Sequence, residues 1–321
     1  MSLLKGRNYY KPFEYPWAYQ YFKEQNQNHW MEEELTFGDD VSDFNKKLND
    51  DERLLLRNIF KFFTQADSDV QDGYMDHYGP IFKPPEIRMM IASFNNMEGI
   101  HKSAYSVLLE TLGLPEDEYK MFMEYGAMVD KHEFLANFGT DTVRDLALTL
   151  AVFSAFTEGV QLFSSFAILM NFPRHNLMKS MGQVVSWSIR DETLHVKGMS
   201  QVFRTLIEEN PEIWDDKLKF EIYSAAERVI ELEDNFIDTV FKNVKIPDLT
   251  PEDVKAHIRY IADGRLLDLG LKTIFNQRSS PLSHWLDPMV SGIEHTNFFE
   301  NRATEYSKGA TQGNWKDIFP D

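Results

Sequence analysis

The sequence predicts an all-α protein, a four-helix bundle core with additional helices and an extended C-terminal tail. Two observations carry that expectation. Apolar residues recur at helical spacing over long segments, and strand-like alternation is nowhere sustained. One pattern also occurs twice: a lone carboxylate, a gap the size of a helical hairpin, then Glu-x-x-His. Asp67 stands 31 residues before Glu98, with His101 three further on, and Glu158 stands 34 residues before Glu192, with His195 three further on. A breaker lies midway in each gap, Gly79-Pro80 with Pro84-Pro85 in the first and Pro173 in the second. Each half thus reads as a helix, a turn and a returning helix, with the acid and the Glu/His pair at one height. Residues three apart share a helix face. Packed as a bundle, the two hairpins bring four carboxylates and two imidazoles together, the ligand set of a dinuclear carboxylate metal site.

The apolar context gives this pattern its weight. Phe62, Phe63 and Ala66 precede Asp67, and Leu146 to Phe156 run almost unbroken into Glu158. A carboxylate buried in such a stretch without a partner costs several kcal/mol or takes up a proton. A shared metal pair removes that cost. Carboxylate oxygens with two imidazoles suit iron or manganese, two ions per chain. The chain contains no cysteine, which excludes disulfides, thiolate zinc sites, iron–sulfur clusters held by this chain and cysteine nucleophiles.

Taken in order, an aromatic N-terminal arm (Tyr9 to Trp30) leads through Asp39-Asp40 into a first core helix, about Asp43 to Asp72. A second runs from about Glu86 to Leu112 and stops at Gly113-Leu114-Pro115. One or two helices follow in Glu116 to Asn137. The third and fourth core helices cover about Asp141 to Asn171 and His175 to Glu208, and two amphipathic helices lie near Lys217 to Lys242 and Pro251 to Leu271. Core helices of ~28 residues span ~42 Å. The stretch from Gln277 to Asp321, rich in Ser, Pro, Gly and Asn, is expected to be mostly extended. Its apolar residues Trp315, Ile318 and Phe319 suit a docking peptide. The organisation expected is an N-terminal arm (1–40), a helical dimetal bundle domain (41–276) and a C-terminal segment with a partner-docking tail (277–321).

A net charge of −18 argues against nucleic acid as a partner, because phosphate binding needs a basic face. No run of 18 or more apolar residues occurs, and the Lys- and Tyr-rich start (Met1 to Tyr10) has no apolar signal core. The expectation is a cytoplasmic protein that does not enter a membrane.

From about Trp30 through the tail, the chain resembles the small, radical-generating subunit of class I ribonucleotide reductases. The strings that carry the resemblance are Met97-Glu98-Gly99-Ile100-His101, Thr157-Glu158-Gly159 and Arg190-Asp191-Glu192-Thr193-Leu194-His195. Near the end, Asn297-Phe298-Phe299-Glu300-Asn301-Arg302 and Thr304-Glu305-Tyr306 belong to the same pattern. The resemblance implies a ferritin-like bundle. It implies that Asp67, Glu98 and His101 serve one metal position and Glu158, Glu192 and His195 the other, with Glu98 and Glu192 bridging. Tyr105 stands at the family's radical-tyrosine position. Trp30, Asp191 and His101 stand on its internal relay, and Tyr306 is the exit to a large subunit that supplies the thiol chemistry. A homodimer is implied as well. The competing readings are another ferritin-like dimetal oxidase, a ferroxidase or ligand-binding oxidase, and a helical interaction protein whose acids are incidental.

Overall fold

The structure is a computed structural model that describes residues 2–115 and 126–290; the side chains of 61–67 and 69 lie outside that description. The described part is helical: α1 (Pro16–Gln27), α2 (Gly38–Lys46), α3 (Asp50–Asp72), α4 (Pro85–Thr111), α5 (Gly126–Leu135), α6 (Val143–Leu150), α7 (Leu162–Arg174), α8 (Lys179–Glu209), α9 (Asp216–Val240), α10 (Pro251–Asp268) and a last helix over 283–290. No strand forms among these residues; a single bridge joins Ile246 to Leu249.

Four rods make the core. The first is α3, prolonged by a π-helical turn, Gly73–Tyr78, and the second is α4. The third runs continuously from α6 through a π-helical segment, Ala151–Gln161, into α7, and the fourth is α8. The rod α3 packs on α4, α4 on α8, and α8 on α7 and its preceding π segment, which closes the bundle. Outside it, α9 and α10 cover the third rod, while α1 lies across α4 and α8. The third rod is long and apolar enough to cross a membrane, but 94% of its most apolar window is buried inside the protein. It is the central helix of a helical core.

Local chemistry sets the ends of these rods. Pro85 occupies the first turn of α4, where its missing N–H has no helical partner to lose. Thr142 and Asp145 form a capping box on α6, and Thr250 and Asp253 form another on α10. The rod α8 has no side-chain cap of its own, since Met178 precedes it in a left-handed conformation. Two buried acids of α2 do the work from a distance. Asp40 accepts from the Ser180 and Met181 N–H groups at 3.1 and 2.7 Å, and Asp43 accepts from the Met178 N–H at 2.9 Å. Negative charge at a helix N-terminus is stabilising there.

Several expected boundaries shift. The stretch expected as one helix from Asp43 to Asp72 is two, α2 and α3, separated at Lys47–Asn49. Asn49 starts α3 through a reciprocal cap, Glu52 N–H to Asn49 Oδ1 at 3.0 Å and Asn49 N–H to a Glu52 carboxylate oxygen at 2.8 Å. The N-terminal arm contains a helix, α1, opened by Pro16. The C-terminal segment is helical over 283–290 rather than extended. Residues 116–125 and 291–321, which include Tyr306 and the apolar tail, lie outside the described residues.

Candidate metal centre

The two hairpins bring the repeated motifs to one level inside the bundle. Glu98 and His101 project from α4, Glu158 from the π segment, and Glu192 and His195 from α8. All five are buried, none more than 1% exposed. Glu98, Glu158, Glu192 and His195 each offer one atom, and those atoms lie within 4.8 Å of one another. Asp67 lies on α3, with its side chain outside the described residues.

The imidazoles and acids are arranged with near two-fold regularity. Glu98 turns Oε2 toward His101 Nδ1 (3.6 Å) and Oε1 toward His195 Nδ1 (3.0 Å). Glu192 does the same with the labels reversed, Oε1 to His101 Nδ1 at 3.2 Å and Oε2 to His195 Nδ1 at 3.4 Å. Glu158 approaches His195 Nδ1, at 3.6 Å. Both central carboxylates therefore span the two imidazoles, while Glu158 belongs to one side.

The outer ring nitrogens are held separately. Trp30 Nε1 donates to Asp191 Oδ2 at 2.8 Å, and His101 Nε2 lies 3.3 Å from the same oxygen. A carboxylate only accepts, so His101 carries its hydrogen on Nε2 and leaves Nδ1 for the acid cluster. On the other side, Gln25 Nε2 donates to Asp191 Oδ1 (3.2 Å), which turns Gln25 Oε1 to His195 Nε2 (3.2 Å). Asp191 thus fixes the tautomer of one imidazole directly and of the other through Gln25. Arg190 adds a further donor to Asp191 Oδ1, at 3.3 Å. Trp30 also stacks on His101, with ring centroids 5.9 Å apart, and meets Trp187 at a tilt of 39°, with centroids 4.9 Å apart.

Electrostatics follow from this crowding. Burial alone would raise the Glu98 carboxyl, but the close approach and charges of His101 and His195 outweigh it and hold Glu98 below the usual range. Burial raises Glu158, and the charges of Glu192 and Glu98 add to that effect against the close approach of His195. Burial would lower both histidines, yet their carboxylate partners carry them well above the ordinary imidazole value.

A metal fits this donor set on the structure's own evidence. Among the described residues, both oxygens of Glu98, both oxygens of Glu192 and His195 Nδ1 are buried without a hydrogen bond of acceptable geometry. Five convergent polar atoms left in that state would be costly, and cations at their common focus would satisfy all of them.

Backbone irregularity surrounds the acids. Glu158 lies within eleven residues of π-helix, where Thr157 Oγ1 donates to Val152 O five residues back (3.1 Å) and Arg265 Nε donates to Gly159 O (3.2 Å). Such segments cluster at functional sites because the extra residue per turn re-aims a side chain. Gly198 on α8 serves the same end, since a Cβ there would sit 2.9 Å from the Phe94 ring. Its absence lets Phe94 lie against His195, with centroids 4.4 Å apart. Tyr105, one turn beyond His101, is buried and donates to Ser188 Oγ at 3.3 Å.

Comparison with known proteins decides the family. The family model described as "Ribonucleotide reductase, small chain" matches residues 7–281. The chain belongs to that family. It also aligns with the "probable ribonucleoside-diphosphate reductase small subunit" of Invertebrate iridescent virus 6, 44% identical over 99% of this chain and 99% of the relative. The ribonucleoside-diphosphate reductase subunit beta of Chlamydia pneumoniae is 28% identical over 94% of this chain and 90% of its own. The fold matches the ribonucleotide reductase R2 subunit from Clostridium botulinum with a TM-score of 0.80 at 22% identity, covering 86% of this chain and 89% of that one. It also matches the dimanganese(II) NrdF of Streptococcus sanguinis with a TM-score of 0.76 at 20% identity, covering 90% and 99%. The bundle is ferritin-like. The chain is the radical-generating small subunit of a ribonucleoside-diphosphate reductase, with a dinuclear iron or manganese centre and a large-subunit partner.

The sequence reading missed three features of the site. Gln25 left no signal, because a glutamine in an aromatic arm has no motif. The π segments left none either. Tyr74 could have been found, since it follows Asp67 by seven residues, two helical turns, on the same face.

Proposed function

We propose that Asp67, Glu98 and His101 hold one ion and Glu158, Glu192 and His195 the other, with Glu98 and Glu192 shared between them. The observation that carries this assignment is the spanning geometry of those two carboxylates, each with one oxygen toward each imidazole. When bound, the iron or manganese pair supplies one-electron oxidising power drawn from dioxygen or a reduced oxygen species. Tyr105 gives up its hydroxyl hydrogen and stores that oxidant in a site shielded from water. Trp30, Asp191 and His101 form the inner relay: the indole is oxidisable, and Asp191 Oδ2, shared by Trp30 Nε1 and His101 Nε2, steadies the hydrogen-bonded path. Tyr306 is the exit, in a C-terminal segment (277–321) whose end docks on the large subunit. The chain has no cysteine, so the thiol that begins ribonucleotide reduction belongs to that partner. The protein works as a cytoplasmic homodimer without nucleic acid or membrane as partners; the net charge of −18 supports the exclusion of nucleic acid.

Tyr105→Phe tests the storage role. The variant, loaded with metal and exposed to oxidant, is expected to show no tyrosyl signal by electron paramagnetic resonance and no nucleotide reduction with the large subunit. Reduction that persists would move storage away from Tyr105. Removal of Trp315 to Asp321 is expected to weaken large-subunit binding at least tenfold, because three apolar side chains at roughly 1.5–3 kcal/mol each, before ordering costs, leave the interface. Equal affinities in a titration of full-length and truncated chains would show that docking lies elsewhere.

Metal uptake should also depend on pH with a definite sign. Glu158 is raised by burial, and His101 and His195 are raised by their carboxylate partners, so the metal-free site holds protons near neutrality. Those protons must leave before the ions enter. Affinity is therefore expected to increase from pH 6 to pH 8, with proton release visible in titration calorimetry across buffers of different ionisation enthalpy. Affinity independent of pH would contradict the assignment.

A further inference from the structure

Tyr74 touches the centre without belonging to any motif that identifies the family. It lies in the π-helical turn Gly73–Tyr78, where the Gly79 N–H reaches back five residues to Tyr74 O at 2.9 Å. That wide turn directs the side chain into the core, where it is 1% exposed. Its hydroxyl donates to Glu158 Oε2 at 2.9 Å, and its ring meets His195 edge-on, with centroids 6.1 Å apart. The contact spans two rods of the bundle and ends on Glu158, which approaches the Nδ1 of one imidazole where Glu98 and Glu192 approach two. Tyr78, four residues on, turns its hydroxyl to Ser154 Oγ at 3.3 Å and Thr149 O at 3.5 Å; Glu158 acts on it through charge and not through a hydrogen bond.

We infer that Tyr74 is a positioning residue of the metal centre: its hydroxyl occupies Glu158 Oε2 and so fixes how that carboxylate is presented to the ion beside His195. The inference rests on the reading of Glu158 as a ligand. Glu98 and Glu192 are restrained by facing two imidazoles each, whereas Glu158 faces one. The phenol supplies the missing restraint, as hydrogen bonds to ligating carboxylates do in other metal sites.

The experiment compares Tyr74→Phe, Tyr78→Phe and Glu158→Ala in the full chain, each freed of metal and titrated with manganese(II). Bound ions are counted, and the electron paramagnetic resonance spectrum of the loaded form is recorded. Tyr74→Phe is expected to keep two ions but bind the weaker one about 10–100-fold less tightly, with an altered spectrum. Tyr78→Phe, which loses a hydroxyl from the same turn, is expected to match the wild type in both readouts. The double variant Tyr74→Phe with Glu158→Ala is expected to bind no more weakly than Glu158→Ala alone, and circular dichroism of each variant shows that the comparison is made between folded chains. Wild-type affinity and spectrum in Tyr74→Phe, alongside loss of an ion in Glu158→Ala, would overturn the positioning role. Two ions at wild-type affinity in Glu158→Ala would instead overturn the ligand reading beneath it.

Discussion

Glu98→Ala is expected to bind less than one metal ion per chain, against two for the wild type. Glu98 is fully buried and is one of the two carboxylates that face both imidazoles, so its loss removes a ligand from both positions together. His195→Ala should give a comparable loss, because His195 Nδ1 lies within 3.6 Å of Glu98, Glu158 and Glu192. Both variants should remain helical by circular dichroism. The apolar core extends from Leu3 to Leu286 and involves every rod, so one alanine in its polar centre does not dismantle it. Elemental analysis after loading is the check. Two ions in either variant would show that the residue is not a ligand.

The second large effect belongs to a residue outside the ligand set. Asp191→Ala should destabilise the metal-free protein by about 3–5 kcal/mol, the usual cost of removing one partner from a buried charged network. Asp191 is wholly buried and receives hydrogen from Trp30, Gln25 and Arg190, with His101 Nε2 at 3.3 Å. Burial would raise its carboxyl, but the His101 hydrogen bond and the Arg190 charge lead the opposing effects and hold it below the usual range, so it is ionised as it acts. Without it, several buried donors lose their acceptor and both imidazoles lose the contact that orients them. Metal affinity should then fall about 10–100-fold. Asp191→Asn, which keeps one acceptor oxygen, should lose less of both. Urea unfolding and a manganese titration give the two numbers, and wild-type stability in Asp191→Ala would contradict the network described here.

Much of this architecture was legible because its signals are short-range and periodic. The two Glu-x-x-His pairs place both residues of each on one helix face by spacing alone, and the proline and glycine breakers mark the turns between rods. The family strings around Glu98, Glu158 and Glu192 led to the same centre, and Trp30 and Asp191, which the resemblance pairs, are joined by a hydrogen bond. What the sequence could not show depends on long-range contact. Asp40 caps a helix 140 residues away, and no local pattern records that. Gln25 bridges Asp191 and His195 from a helix read only as an aromatic arm. The π-helical segments arise from a backbone accommodation that residue preferences barely encode, and with them the aim of Glu158 was hidden. The break between α2 and α3 was the exception, since Asn49 and Glu52 form a capping pattern that a closer reading could have used.

The most direct test of the account is a manganese(II) titration of the metal-free full chain, with free ion followed by electron paramagnetic resonance. A centre of four carboxylates and two imidazoles should take up two ions per chain before the free manganese signal rises. Saturation at one ion per chain, or a free signal from the first addition, would contradict the claim that these six residues form a dinuclear site.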